Sequence, residues 1–335
     1  MKFILKSFNS SDFYEYEIDT LLNKSDISEL ESINETLFLF HPFEKSHEKI
    51  ITGKIVGKKK VSSSAKNNFP IEIQSLKTTS KNEYLKLIQQ AIETIKLSNL
   101  KKVVISRPLN LMLNDIPNWG SYLSELATNY PTAAIYLFEY HGVTWIGATP
   151  EQLVHAKNGS FSVASLAGTI SKTTQNEKQW TKKEYEEQQI VTDEIERILS
   201  ELGIEFKTSE TYQIDTGNLL HLKSDITGNL KSHQELTELI SKLHPTPATC
   251  GLPKNKAKDF ILKNENYQRE YYSGFFGFVN FSEISAELYV NLRCLKATDN
   301  LVSIFAGGGI TSSSIAENEW EETETKLLTL KSLFI

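Results

Sequence analysis

The sequence predicts an α+β protein with largely antiparallel sheets, and three observations carry that prediction. Strand-like and helix-like segments interleave along the chain, several neighbouring strands are close enough to form hairpins, and the chain is long enough to bury a large core. Its 335 residues correspond, at about 150 per domain, to roughly two units or one large one. A chain of that size buries about three quarters of its unfolded surface and needs no staple to fold.

Residues 1–80 are the least informative and are expected to pack into the same fold as residues 81–335. Their basic stretch Lys54–Asn68 (KIVGKKKVSSSAKNN) reads as a solvated loop or hairpin edge. Ser80–Glu83 (SKNE) is a capping box, and Tyr84, Ile88, Ala91, Ile92 and Ile95 follow at helical spacing. Strands are expected at Lys102–Arg107, Ala133–Tyr140 and Val143–Gly147, the last two joined by a tight turn at His141-Gly142. Another, Phe161–Leu166, leads into Ala167-Gly168-Thr169. A long helix over Glu177–Leu202 stops at Gly203. His221–Leu230 reads as a strand and His244–Pro253 as a rigid loop whose three prolines fix φ. Strands at 274–280, 285–296 and 301–306 end in a glycine loop, Ala306–Gly309, and a second capping box, Ser314–Glu317, opens the last helix.

Composition excludes several function classes. Lys plus Arg is 36 and Asp plus Glu is 42, a formal charge of −6 that argues against a nucleic-acid binder or an anionic-membrane binder. No stretch approaches the ~20 apolar residues of a membrane span. The opening MKFILK is too short and too interrupted for a secretory signal, so a cytoplasmic protein is expected. Cys250 and Cys294 are too few for a disulfide framework.

The most informative feature is a carboxylate pair on the long helix. Val191, Ile195, Ile198 and Leu202 form an apolar stripe, and stepping it backwards lands on Glu187 and then Glu184. Buried carboxylates need a cation or a metal, whereas acids in a solvated first turn are ordinary partners of the helix dipole. The pattern alone leaves both readings open. Glu319 and Glu322 repeat the spacing on the last helix, though no clean apolar stripe passes through them. Two such helix starts facing each other would offer a hard oxygen site suited to Mg²⁺. Ala306–Gly309 has backbone N–H groups that could meet an anion. Arg293 alternates with apolar neighbours and is placed to clamp a carboxylate. Lys102, next to Val103-Val104-Ile105, is placed to enter a low-dielectric site that would lower its pKa. Each of these has a plainer alternative, a turn or a surface salt bridge.

Taken together and in order, KVVISR (102–107), GATPEQL (147–153), LAGT (166–169), EQQIVTDEI (187–195), HPTPA (244–248), YYSGFFGF (271–278), LRC (292–294), AGGGI (306–310) and ENEWEET (317–323) resemble the chorismate-utilising enzymes. That family includes isochorismate, salicylate, anthranilate and aminodeoxychorismate synthases. The resemblance implies a four-layer α/β/β/α fold with two packed antiparallel sheets and the site between them. It makes residues 81–335 the catalytic domain. By position, Lys102 matches the lysine that activates water and Glu151 the acid that protonates the leaving C4 hydroxyl. Glu187 and Glu322 match direct Mg²⁺ ligands, with Glu184 and Glu319 assisting through water. Tyr272, Arg293 and the amides around Gly307 and Gly309 match groups that hold the enolpyruvyl carboxylate. Gly168 and Thr169 match residues that line the ring, with His244 nearby.

Two positions narrow the branch that the resemblance implies. Ammonia-using members carry Gln where this chain has Lys102, and the aminodeoxychorismate branch carries Lys where it has Ala167. The resemblance therefore implies a Mg²⁺-dependent isochorismate synthase acting on chorismate, with no glutaminase partner. A salicylate synthase, which adds pyruvate elimination, is the alternative, and a non-catalytic chorismate-binding subunit a third. Cys250, where a small or hydroxylated residue is frequent, and Gly308, where alanine is usual, are departures that remove no catalytic group.

Overall fold

The structure is a computed structural model that describes all residues except 20–23, 46–47, 62–72, 77, 172–179, 216–218 and 335. In chain order the elements are β1 (Lys2–Lys6), β2 (Phe13–Asp19), β3 (Leu37–His41), β4 (Ile51–Val61), β5 (Ile73–Ser75), α1 (Lys81–Leu97), β6 (Lys102–Leu113), α2 (Trp119–Asn129), β7 (Ala134–Tyr140), β8 (Val143–Thr149), β9 (Gln152–Lys157) and β10 (Ser160–Ser171). There follow α3 (Lys182–Glu201), β11 (Phe206–Thr208), β12 (Tyr212–Asp215), β13 (Leu219–Asn229), α4 (His233–Leu243), β14 (Gly251–Leu252), α5 (Lys254–Asn264), β15 (Phe275–Asn280), β16 (Ser285–Val290), β17 (Cys294–Thr298), β18 (Leu301–Ile310) and α6 (Ala316–Lys331).

The strands join into one ladder, antiparallel at every pairing among the described residues. It runs β13–β10–β9–β16–β15–β3–β4–β2–β1–β7–β8–β17–β18–β6. Short β11 and β12 lie on the free edge of β13, and β5 and β14 on that of β6. The two expected sheets are thus halves of one hydrogen-bonded surface, folded so that the halves face each other.

Strand alternation explains the layering. Leu37 and Leu39 face helices while Phe38 and Phe40 face the interior; Ile135 and Leu137 alternate likewise with Tyr136 and Phe138. Aromatic side chains therefore collect between the halves, where Tyr136 and Phe276 lie 4.1 Å apart from strands that do not pair. Aliphatic side chains face outward and are covered by α3 and α4 on one half and by α2 and α6 on the other. α1 and α5 close the end near β6. The resulting order is helix, sheet, sheet, helix. Residues 1–80 are not an appendage: β1 to β4 form the middle of the ladder, and Phe3 is fully buried at the aromatic core.

The capping box at Ser80 and Glu83 forms as expected. Lys58, Lys59 and Lys60 lie on β4, where Lys59 and Lys60 pair with Glu15 and Asp12 at 2.8 Å each. Residues 62–68 of that basic stretch and 177–179 of the expected long helix lie outside the described residues. Gly203, at φ +69°, ends α3 as its composition predicts.

Three local expectations are corrected. The glycines 307–309 are part of β18, paired with Ser106, Ile105 and Val104, rather than a loop after it. The strand expected over 285–296 breaks at 291–293, where Arg293 takes φ +43°, so its direction is set by a turn and not by alternation. Ser314 does not cap the last helix: its hydroxyl accepts from the Thr311 amide, and α6 starts after Ile315. Among the described residues no helix is long and apolar enough to cross a membrane.

Candidate active site

A cavity opens where the two ends of the ladder meet. β10 and β13 contribute one wall, β18 and Val104 of β6 the other, and α3 and α6 reach in from outside. Its shape begins with glycine. At Gly168, φ +74°, the register between β10 and β13 shifts, and an added Cβ would stand 3.0 Å from the Glu184 carbonyl. The first turn of α3 rests directly on this bulge.

The same logic governs β18. A Cβ at Gly309 would lie 2.4 Å from Glu187 Oε1 and 2.8 Å from Lys102 Cε; at Gly307 it would meet the Ile105 carbonyl at 2.8 Å. At Gly308 it would find Glu319 Oε2 at 3.5 Å and Glu322 Oε1 at 3.6 Å, which is ordinary contact. The glycine strand is thus the surface on which carboxylates from both helices converge.

Cations sit among them. Lys102 is fully buried, with Nζ 2.9 Å from Glu187 Oε1 but out of line for a hydrogen bond. Lys326 donates to Glu322 Oε1 at 2.7 Å and to the Gly307 carbonyl at 2.9 Å. Arg293 lines the wall and donates from Nη2 to His221 Nε2 at 2.8 Å; burial lowers its pKa to about 10, leaving it cationic at neutral pH. Burial and then that guanidinium hold His221 well below the usual histidine range. With Nε2 accepting, Nδ1 carries the proton and donates to Thr169 Oγ1 at 3.1 Å.

Glu151 occupies the turn before β9 and is 4 % exposed. Burial raises its pKa to about 7, against the smaller opposing pull of a hydrogen bond from Thr246 and of Lys102 and Lys326. Thr246 Oγ1 is 3.4 Å from Glu151 Oε1. Tyr272 is buried against Phe305, with its hydroxyl 3.2 Å from where a Gly307 Cβ would be. Burial raises its pKa, so it remains a protonated donor.

The donor set fits a hard divalent cation in chemistry. Glu187, Glu319 and Glu322 offer carboxylate oxygens at one strand, which suits Mg²⁺ better than a soft metal. Lys102 and Lys326 already neutralise two of them. Among the described residues no group of three or more His, Cys, Asp or Glu side chains forms a finished metal cage.

Of the residues singled out from sequence, Glu151, Gly168, Thr169, Glu187, Tyr272, Arg293, Gly307, Gly309 and Glu322 line the cavity. Lys102 lies just behind Glu187, and Glu319 is buried beneath Gly308. Glu184 is placed otherwise: its carboxylate accepts from the Thr181 amide at 2.9 Å and from the Thr181 hydroxyl, closing the start of α3. His244 does not line the cavity. Its Nε2 bonds the Pro42 carbonyl at 3.0 Å beside His41 and Phe275, so it anchors the loop that carries Thr246. Cys250 is buried under α1 and α5 and does not line the cavity. Reading the sequence missed His221 and Lys326. The first opened a strand that was read from its pattern but given no role; the second lies four residues after Glu322, a spacing that was itself a signal.

Comparison with known proteins places this architecture. The chain is 29% identical to isochorismate synthase EntC of Escherichia coli (strain K12) over 262 residues, 74% of this chain and 66% of that protein. It is 30% identical to isochorismate synthase MenF of Bacillus subtilis (strain 168) over 264 residues, 76% of this chain and 56% of that one. The chain therefore spans between just over half and about two thirds of the length of these relatives. The solved structure of MenF, the menaquinone-specific isochorismate synthase of Escherichia coli, superposes with a TM-score of 0.84 at 20% identity, covering 100% of this chain and 88% of that one; it shares the fold. A model of the family described as chorismate binding enzyme matches residues 33–334. With nearly the whole chain matched, and the cavity walls within the match, the protein belongs to the chorismate-binding enzyme family.

Proposed function

We propose that the chain is a Mg²⁺-dependent isochorismate synthase, converting chorismate to isochorismate by attack of water at C2 with loss of the C4 hydroxyl. The observation that carries this is the pairing of a buried carboxyl that keeps its proton to about pH 7, Glu151, with a buried lysine, Lys102, at one cavity. Displacing a hydroxyl by water needs an acid for the leaving oxygen and a base for the incoming one. Glu151 gives its proton to the C4 oxygen, which departs as water, and both conjugated ring double bonds shift, C1=C2 to C1=C6 and C5=C6 to C4=C5, as the new C2–O bond forms. Lys102 parts from Glu187, gives its own proton up to solvent, and as the neutral amine takes the proton from the attacking water.

The other side chains fix the substrate. Arg293 and Tyr272 bind the enolpyruvyl carboxylate with the amides of Gly307 and Gly309, and Thr169 and Gly168 border the ring. His221 keeps Arg293 aimed by accepting its Nη2 proton. Lys326 supplies a further cation for a dianionic substrate. Glu187 and Glu322, with Glu319 behind them, would hold Mg²⁺, whose charge offsets the glutamates and fixes the ring carboxylate. Lys102 and Ala167 support water rather than ammonia as the nucleophile, because neither position carries the groups of the amine-forming branches.

Purified protein incubated with chorismate and Mg²⁺ should yield isochorismate. An amino product that needs ammonium, or release of pyruvate with salicylate, would move the chain to another branch. Turnover should decline above about pH 7 as Glu151 loses the proton it must donate. Glu151→Gln should cut turnover ~10²-fold or more with the fold intact. Comparing Lys102→Ala with Lys101→Ala tests the base: equal, mild effects at the two neighbours would remove Lys102 from the mechanism.

A further inference from the structure

We propose that Arg107 is a positioning residue for this site, a buried guanidinium that sets the rotation and height of the first turns of α6 and thereby aims Glu322 and Lys326 at β18. The inference rests on the functional reading above. Its starting point is the crowding of charge at that end of α6. Glu317, Glu319, Glu321, Glu322 and Glu324 crowd its first turns, and like charges three or four apart on a helix repel. Among the described residues no side chain caps its N-terminus. Ala316 and Trp320 pack there against the cluster under α1 and α5, Trp320 edge-on to Tyr84 at 5.7 Å, and the deeper anchors Leu327, Leu330 and Leu333 follow.

Arg107 meets this segment at successive points on one helical face. Its Nε donates to Thr323 Oγ1 at 2.9 Å, its Nη2 pairs with Glu324, and the guanidinium lies 3.8 Å from the centre of the Trp320 ring. Thr323 Oγ1 in turn donates to the Trp320 carbonyl at 2.8 Å. Positions 320, 323 and 324 are one turn of one face, so three contacts to a planar group leave the helix little freedom to roll or slide. With that face fixed, residues 322 and 326 have a fixed direction as well.

The strand end of the clamp is equally well placed. Arg107 stands opposite Ala306 in the β6–β18 ladder, one residue before Gly307, whose carbonyl receives Lys326. Helix and glycine strand are thus tied together at the level of the cavity, by a side chain 2 % exposed that does not line it. Arginine suits the position because it combines an Nε donor, a forked charge and a flat face; a lysine ammonium has neither the in-plane fork nor the stacking surface.

The test compares wild type with Arg107→Lys, Arg107→Met and the milder Thr323→Val. Each is read by titration of Mn²⁺ binding, by kcat and KM for chorismate, and by amide hydrogen exchange along α6. Both Arg107 variants should bind Mn²⁺ ~10-fold more weakly, and Thr323→Val ~3-fold more weakly. kcat should fall by a comparable factor. Exchange should quicken over residues 317–324 and stay unchanged over 327–333. Folded variants that melt earlier yet bind Mn²⁺ as tightly as wild type would make Arg107 a stabilising residue only and overturn the assignment. Should Arg107→Met not fold, Arg107→Lys and Thr323→Val decide the question. A wild-type protein that neither binds Mn²⁺ nor consumes chorismate overturns the functional reading itself, a result distinct from loss of the Arg107 assignment.

Discussion

α3 and α6 bring glutamates to the same three glycines from two different helices of the molecule, yet different forces hold them there. α3 is seated by Val191, Ile195 and Ile198, and beyond them by a neutral buried network. Gln188 Nε2 donates to Thr192 and Ser224, each at 2.9 Å, Ser165 and Thr192 bond at 2.8 Å, and Thr211 reaches Gln188 Oε1 at 3.3 Å. α6 depends at the equivalent turn on a buried cation. A neutral network gains from many short, directed bonds and loses them one at a time; a cation clamp concentrates its hold in one group, whose removal takes away all three of its contacts at once. The two arms of one site therefore fail differently.

The largest test of this comparison is to disarm each helix in turn. Glu187→Gln and Glu322→Gln should each reduce turnover at low Mg²⁺ by ~10²-fold or more, with melting temperature changing far less. A loss at Glu187 with none at Glu322 would assign the metal to α3 alone. The strand between them sharpens the contrast. Gly309→Ala drives a methyl into Glu187 and Lys102 and should cost ~1–3 kcal/mol of stability together with most activity. Gly308→Ala, which touches the α6 carboxylates only at ordinary contact distance, should leave both nearly unchanged. Equal effects at the two glycines in thermal melts and turnover would contradict the geometry. Among the destabilising variants the smallest effect on turnover is expected at Gln188→Met, which keeps the volume and removes the bonds. Its cost of ~1–3 kcal/mol should be flat in salt, because no charge is involved. A salt-dependent loss in denaturant titrations would show that the network acts through Glu187.

The same contrast explains what could be read from the sequence. The stripe of α3 was legible because Val191, Ile195 and Ile198 repeat at helical spacing, so extending it to Glu187 found a side chain that lines the cavity. In α6 the buried face runs through Glu319 and Thr323 to Leu327 and Leu330. Two of its four positions are polar, and a hydrophobic pattern cannot show a face that a distant arginine makes habitable. Gly307–Gly309 read as a turn because glycine runs usually are turns, whereas here they lie inside a strand, where packing leaves no room for a Cβ at Gly307 and Gly309 and leaves room at Gly308. His221 was hidden for a similar cause: on an alternating strand its neighbours explain nothing, and its role comes from Arg293, 72 residues away. Strand alternation was legible in part: it held over 285–290 and failed at Arg293, where the strand breaks, and the sorting of aromatic from aliphatic layers emerged only in the folded ladder.

The ladder has one more consequence. Counted along its hydrogen bonds, the two walls of the cavity are as far apart as the sheet allows, since β13 and β10 lie toward one end and β18 and β6 at the other. The molecule is a horseshoe whose gap is the site. Every strand between the tips adds its own small twist to the width of that gap, and β1 to β4 occupy the bend. The part of the chain with the plainest sequence and no side chain at the cavity is therefore the part that sets the reach between Lys102 behind one tip and Glu151 near the other.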